Sequence, residues 1–169
     1  KVYPVMPLEI LYEDENLLLV DKHPGLVVHE DDNGTEDTLI HRIQHYLYEK
    51  GEYRPQQEHS FAPALCNRID RNTGGIVISA KNAESLRILN QKIKNRELRK
   101  LYLCVVKGNL QPKSGEWKAF LQKDEQTNTV TVSDWKTAHN RTIITAYRVL
   151  KQTKGYSLVE VDLKTGRTH

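Results

Sequence analysis

The sequence contains little cysteine, with only Cys66 and Cys104 among its 169 residues. Two cysteines at this spacing give no disulfide framework and match no metal-binding motif. We therefore expect each of them to be a small buried apolar side chain. The scarcity of cysteine also suits a reducing compartment, so we expect the protein to be cytoplasmic.

Long hydrophobic runs are also missing. No apolar run approaches the roughly 18 residues that a membrane helix needs, and no segment is typical of a signal peptide, so we expect no membrane partner. Phosphate-loop, nicotinamide and metal motifs are absent as well, and we expect no cofactor. His41 and His45 lie one helical turn apart, but the sequence offers no obvious third ligand for a metal.

Strong charge of one sign is lacking too. The formal net charge is +3 and the pI is about 8.8, a mild excess that permits a nucleic-acid partner without requiring one. The densest basic run lies between residues 87 and 100. A solvated helix face has the same composition, so the run alone leaves both interpretations open. It contains Arg87, Lys92, Lys94, Arg96, Arg99 and Lys100.

Apolar periodicity predicts two helices. Residues 38–50 have helical spacing, with Asp37 as a plausible N-cap and Gly51 as a plausible stop. Residues 82–94 form the second predicted helix, with Asn82 as its cap. Its apolar residues are expected to face the core. They are Leu86, Leu89 and Ile93.

Strand patterns dominate the rest of the chain. Short apolar or alternating runs bounded by turn residues predict strands, and residues 153–155 give a hairpin signal. The sequence therefore predicts an α+β domain built on a mostly antiparallel sheet. The predicted strands are residues 17–20, 75–80, 101–107, 142–150 and 156–163.

The most informative stretch is residues 66–80, in which Asp70 stands between two arginines. A Thr-Gly-Gly turn and an apolar run follow it. A carboxylate at a loop tip beside a strand is accessible and ionised, which suits a nucleophile or an electrostatic stabiliser. The arginines would favour its charge and suit a polyanionic substrate. From residue chemistry alone, a surface turn with local ion pairs is an equally good interpretation.

Five segments, in order, resemble motifs of the RluA-type RNA pseudouridine synthases. Residues 17–29 resemble NKPAGLVVH, and residues 68–75 resemble R-L-D-x-x-T-S/G-G. Residues 99–108 resemble K-x-Y-x-A-x-V-x-G, and residues 117–124 resemble the hairpin that follows it. Residues 163–169 resemble the start of T-G-R-T-H-Q-I-R. The resemblance implies a curved, mixed, mostly antiparallel sheet with a few flanking helices.

The resemblance also implies an activity, namely isomerisation of uridines in ribosomal or transfer RNA to pseudouridine without a cofactor. Asp70 matches the catalytic aspartate of the family and Tyr102 its active-site tyrosine. The tyrosine ring could stack on the target base and its hydroxyl could transfer a proton. The sequence leaves open whether Asp70 attacks the base, attacks the ribose or favours elimination.

Four further residues are expected to contact RNA. Arg68 matches the position that in relatives fills the space left by the flipped uridine. Arg71 either grips a phosphate or pairs with Asp70. Lys100 and Arg167 lie in two of the matching segments and complete the predicted RNA-binding set.

We expect residues 1–169 to form one catalytic domain that acts as a monomer. The last matching segment stops at His169, before an arginine that in relatives can pair with the catalytic aspartate. The domain is therefore expected to be C-terminally incomplete, and a small RNA-binding domain could precede it. Two rival functions stay open: a non-catalytic RNA-binding domain of the same fold, and a glycosidase. The glycosidase would need a second carboxylate that these segments do not present.

Overall fold

The computed structural model describes residues 7–31, 34–57 and 59–165. Within these ranges the chain forms nine strands and two helices, and it divides after Asn95 into two compact units. None of the described helices is long and apolar enough to cross a membrane. The expectation of a single catalytic domain over the whole chain stays a prediction.

The first unit contains a four-stranded antiparallel sheet in the order β1-β2-β4-β3. Its core lies along β2 and β4, where Leu18, Val20 and Val77 are fully buried. Alternate residues of β2 are buried because successive side chains of a strand point to opposite faces. The strands are β1 (Glu9–Glu13), β2 (Leu17–Lys22), β3 (Ala64–Leu65) and β4 (Gly75–Ala80).

Helix α1 (Leu39–Glu49) packs its apolar face into the core of this unit through Leu39, Ile43 and Leu47. The hydroxyl of Thr38 accepts a hydrogen bond from the His41 N–H at 3.3 Å and caps the helix. The prediction of Asp37 as the cap was therefore wrong by one residue.

Asp37 has a different partner. Its two carboxylate oxygens each accept a hydrogen bond from the Arg42 guanidinium at 2.7 Å. The carboxylate is thus committed to a bidentate ion pair, while Thr38 has the extended backbone that a cap needs. Gly51, the predicted stop, follows the C-cap Lys50 with a φ of 77°.

Helix α2 (Ala83–Lys94) begins as predicted, because the Asn82 side chain accepts a hydrogen bond from the Ser85 N–H at 2.8 Å. Leu86, Leu89 and Ile93 are less exposed than most of this helix, so the predicted face is the packed one. None of the three is fully buried.

The second unit contains a five-stranded antiparallel sheet in the order β5-β9-β8-β6-β7. The predicted hairpin joins β8 to β9 through Lys154 and Gly155, whose φ is 87°. The predicted α+β class with mostly antiparallel pairing is confirmed, although the strands form two sheets. The strands are β5 (Leu101–Lys107), β6 (Ser114–Asp124), β7 (Thr129–Ser133), β8 (Arg141–Thr153) and β9 (Tyr156–Leu163).

The two cysteines differ in their surroundings. Cys66 is half-buried, and this burial raises the pKa of its thiol. Cys104 is exposed, so the prediction of a buried side chain was wrong there. Cys104 lies on β5, an edge strand of the described sheet, where most side chains are open to solvent.

Candidate active site

Asp70 lies in the loop that joins β3 to β4, residues 66–74, here called the Asp70 loop. Ile69 is buried with 8% exposure, whereas Asp70 beside it is exposed. The apolar side chain therefore anchors the loop to the core, and the carboxylate next to it is accessible to a substrate.

Hydrogen bonds to β4 fix the first part of the Asp70 loop. Asn67 accepts from the Ile78 N–H at 2.8 Å and donates from Nδ2 to the Ile76 carbonyl at 3.2 Å. The Cys66 N–H also donates to the Ile78 carbonyl at 2.8 Å. A tight turn closes the tip, with the Thr73 N–H donating to the Asp70 carbonyl at 3.0 Å. These bonds hold the backbone around Asp70 in one conformation.

The Asp70 loop is also joined to residues 23–27, the segment after β2, here called the Pro24 loop. The Gly25 N–H donates to the Arg71 carbonyl at 2.7 Å. Gly74 contacts the same loop so closely that an added Cβ would lie 3.1 Å from Cδ of Pro24 and 3.3 Å from the Lys22 carbonyl oxygen. A side chain at position 74 would therefore push the two loops apart.

Lys22 lies at the junction of the two loops. Its Nζ donates to the carbonyls of His23, Leu26 and Arg71 at 3.0, 2.7 and 2.9 Å. Burial lowers the pKa of the Lys22 ammonium group, and the negative charge of Asp70 opposes that shift. The sequence reasoning missed this residue. Strand alternation was the available signal, because Lys22 continues the buried face of Leu18 and Val20.

Arg71 and Arg68 flank the aspartate but have other neighbours. Arg71 forms an ion pair with Asp31, with Nη2 and Oδ2 2.6 Å apart. Arg68 is exposed, and its charge acts on His29. Burial lowers the pKa of His29, and the charges of Arg68 and His41 lower it further. Positive groups thus collect beside the Asp70 loop, and the roles of both arginines as RNA contacts stay predictions.

The remaining predicted residues belong to the second unit. Tyr102 is half-buried on β5, where it pairs with Val161 of β9. The backbone carbonyl of Lys100 accepts a hydrogen bond from the Leu163 N–H at 3.1 Å, which fixes the start of β5. Arg167 lies outside the described residues.

A resident metal finds no site in the described part of the chain, where no group of three His, Cys, Asp or Glu side chains could hold one. His41 instead pairs with Glu30, with Nε2 and Oε1 3.2 Å apart. The chemistry that the site offers is therefore that of an exposed carboxylate on a rigid loop, beside a buried ammonium group and exposed guanidinium groups.

Known proteins give a family and two named relatives. Residues 16–169 match the family model described as RNA pseudouridylate synthase. The chain is 32% identical over 167 residues to ribosomal large subunit pseudouridine synthase D of Borreliella burgdorferi, and 31% identical over 166 residues to the protein of that name in Nitrosomonas europaea. Each alignment covers 97% of this chain, but 49% and 44% of those proteins. The chain thus spans about half the length of the curated relatives it matches.

Solved structures show the same fold. Human RNA pseudouridylate synthase domain containing 4 superposes with a TM-score of 0.75 at 20% identity, covering 95% of this chain and 60% of that chain. Human RNA pseudouridylate synthase domain containing 1 gives 0.76 at 19% identity, with coverages of 100% and 64%. The family that the five sequence segments predicted is confirmed. The chain belongs to the RNA pseudouridylate synthase family.

Proposed function

We propose that the protein isomerises specific uridines in RNA to pseudouridine, with Asp70 as its catalytic carboxylate. The observation that supports this most directly is the position of Asp70. It is an exposed side chain on a loop fixed by Asn67, Thr73 and Lys22, and it matches the catalytic aspartate of the family. A carboxylate held in this way meets its target without first reorganising the loop.

The chemistry requires such a group. The bond between N1 of uracil and C1′ of ribose breaks, the base turns, and C5 joins C1′ in its place. The isomerisation adds and removes no electrons, so it needs no external reductant or oxidant. Positive charge develops at the sugar as the glycosidic bond breaks, and a nearby carboxylate stabilises it or adds to the reacting carbon.

Two further residues have proposed roles. The Tyr102 ring stacks on the target uracil, and its hydroxyl transfers a proton. Arg68 fills the space that the target uridine leaves when it is extruded from its stack, because a planar guanidinium replaces the lost stacking contact. Arg71, Lys100 and Arg167 contact RNA phosphates in this proposal.

The proposed substrate is ribosomal or transfer RNA, and the names of the two relatives favour RNA of the large ribosomal subunit. We also propose that the protein acts in the cytoplasm as a monomer. The free cysteines Cys66 and Cys104 are compatible with a reducing compartment.

The test is replacement of the carboxylate by an amide of the same shape. Asp70→Asn should lower pseudouridine formation to background, measured by tritium release from RNA that contains 5-tritiated uridine. Circular dichroism and RNA binding should be unchanged. Asp134→Asn, at an exposed position of the second unit, is the matched control and should keep wild-type activity.

The other outcomes are informative as well. Substantial tritium release by Asp70→Asn would show that the catalytic assignment is wrong. A wild-type protein that binds RNA but releases no tritium would support the alternative of a non-catalytic RNA-binding domain.

A further inference from the structure

Lys22 is a buried cation whose hydrogen bonds account for the whole ammonium group. Only 1% of the residue is exposed, and Nζ donates to three carbonyls within 3.0 Å. A neutral amine has two hydrogens, so three accepting carbonyls require the protonated form. The structure therefore encloses a positive charge at the end of β2.

This position does not need a charge for packing. Leu18 and Val20 occupy the same buried face of β2, and an apolar side chain would continue it. A buried ammonium group is unfavourable unless hydrogen bonds and an opposite charge compensate for its lost hydration. Asp70 is the carboxylate whose charge acts on Lys22. A buried lysine on an apolar face thus indicates a role connected with the Asp70 loop.

The three acceptors come from two different loops. His23 and Leu26 belong to the Pro24 loop, whereas Arg71 is the neighbour of Asp70 in the Asp70 loop. The Arg71 carbonyl also accepts from the Gly25 N–H, so Lys22 and Gly25 use the same oxygen. One ammonium group therefore holds the Pro24 loop and the backbone next to Asp70 together.

Other charged groups near this junction are already engaged. Arg71 is paired with Asp31, and His23 Nε2 lies 3.0 Å from Glu9 Oε2. Arg68 is exposed to solvent and acts on His29, and Asp21, beside Lys22 on β2, is half-buried. Exposed cations are screened by salt and attract RNA phosphates, whereas a buried cation stays effective close to Asp70.

We propose that Lys22 is a positioning residue for the reaction. Its ammonium group locks the Pro24 loop to the Asp70 loop and favours the ionised form of Asp70 when polyanionic RNA is bound. The inference rests on the proposed role of Asp70, because a polyanion nearby would otherwise make a charged carboxylate less favourable.

The test compares two buried lysines of the first unit. Lys22→Met removes the charge and keeps the length of the side chain. Lys81→Met is the matched control, because the Lys81 side chain is 6% exposed and pairs with Glu13 and Glu52 instead. The readouts are the single-turnover rate on RNA across pH and the thermal unfolding temperature of the full chain.

Lys22→Met should lower the rate at neutral pH by roughly 10- to 100-fold, the size of effect that a misplaced catalytic group produces. The acidic limb of its pH–rate profile should move to higher pH, because Asp70 loses the positive charge that favours its ionised form. Lys81→Met should keep the wild-type rate and acidic limb, even where it unfolds at a lower temperature.

Lys22→Arg separates the charge from the hydrogen bonds. It keeps the positive charge, but its planar fork cannot direct three hydrogens at three converging carbonyls. Its acidic limb should stay near the wild-type position while its rate falls. This variant also decides the question if Lys22→Met does not fold, because a shifted acidic limb in a folded Lys22→Arg protein would contradict the proposal.

Hydrogen exchange measures the junction without using activity. The amides of Gly25 and Thr73 donate within the two loops, and both should exchange faster in Lys22→Met than in Lys81→Met. Unchanged exchange at Gly25, or equal rate losses in both lysine variants with an unmoved acidic limb, would overturn the proposal. If Asp70→Asn keeps activity, the proposed function fails, but the exchange result still decides whether Lys22 joins the loops.

Discussion

Ile69 and Asp70 are adjacent in the chain but have opposite surroundings. Ile69 is buried in the core of the first unit, whereas Asp70 is exposed on a loop that Asn67 ties to β4. The buried neighbour restricts the backbone at Asp70, and exposure leaves its carboxylate available. This combination of accessibility and rigidity is what an effective catalytic side chain requires.

At the same scale, Tyr102 can be tested by removing one atom. Tyr102→Phe keeps the ring and loses the hydroxyl. If the hydroxyl transfers a proton, the single-turnover rate should fall by about 10²–10⁴-fold while RNA binding changes little. Tyr156→Phe, an exposed position on β9 of the same sheet, is the control and should behave like wild type. A near-normal rate in Tyr102→Phe would leave only a stacking role for this residue.

Arg68 can be tested by the substrate it acts on. If its guanidinium fills the gap left by the extruded uridine, Arg68→Ala should slow the reaction on a structured RNA more than on a short flexible RNA. Unstacking costs a few kcal/mol in a stacked site and less in a flexible one, which is the reason for the difference. Arg148→Ala, at an exposed arginine of β8, is the control. Equal slowing on both RNAs would indicate general electrostatics instead of gap filling.

Elements of the first unit are joined by a buried ion network around Glu13 of β1. Its Oε1 lies 2.5 Å from Lys50 Nζ and 2.7 Å from Lys81 Nζ, and its Oε2 accepts from the Tyr46 hydroxyl at 2.7 Å. Burial alone raises the pKa of Glu13, but the hydrogen bonds from Lys50, Lys81 and Tyr46 outweigh it and lower the pKa to about 2. The network thus ties β1 to α1 and to the residue that follows β4.

This network predicts a loss of stability in acid. The pKa of Glu13 is about 2 in the folded protein against an ordinary value of 4.5. A lowered pKa stabilises the folded state above pH 4.5, and that contribution disappears as the pH falls toward 2. Urea unfolding should show that Glu13→Gln loses roughly 2 kcal/mol relative to wild type at pH 7 and much less near pH 2. Glu125→Gln, an exposed position, should show no such pH dependence, and a constant difference for Glu13→Gln would contradict the account.

Several elements could be predicted to the residue because their signals are local. Strands β4, β5 and β9 begin and end where apolar runs and turn residues placed them, and the Asn82 cap sets the start of α2. The cap of α1 was wrong because Asp37 and Thr38 are both good capping residues. The choice between them depends on Arg42, which binds Asp37.

The site could be predicted only in part. Its sequence motif identified Asp70 and its loop, because the turn residues and the following strand are contiguous. The role of Lys22 was not predictable from local pattern, since its acceptor Arg71 is 49 positions away in the chain. Likewise, the charges of Arg68 and Arg71 suggested partners for Asp70, but the structure places Asp31 beside Arg71.

At the scale of the whole molecule, each compact unit carries a part of the predicted site. Asp70, Arg68 and Arg71 belong to the first unit, and Tyr102 and Lys100 belong to the second. The family match extends across both units, from residue 16 to residue 169. The proposed reaction is therefore a property of the protein as a whole, and its decisive test uses cellular RNA.

The most direct measurement is a map of pseudouridines in cellular RNA from cells with and without this protein, and from cells complemented with either wild type or Asp70→Asn. The account predicts that at least one uridine loses its modification without the protein. Wild type should restore that modification, and Asp70→Asn, expressed at the same level, should not. An unchanged map in the deficient cells, or full restoration by Asp70→Asn, would contradict the central claim that Asp70 catalyses uridine isomerisation in RNA.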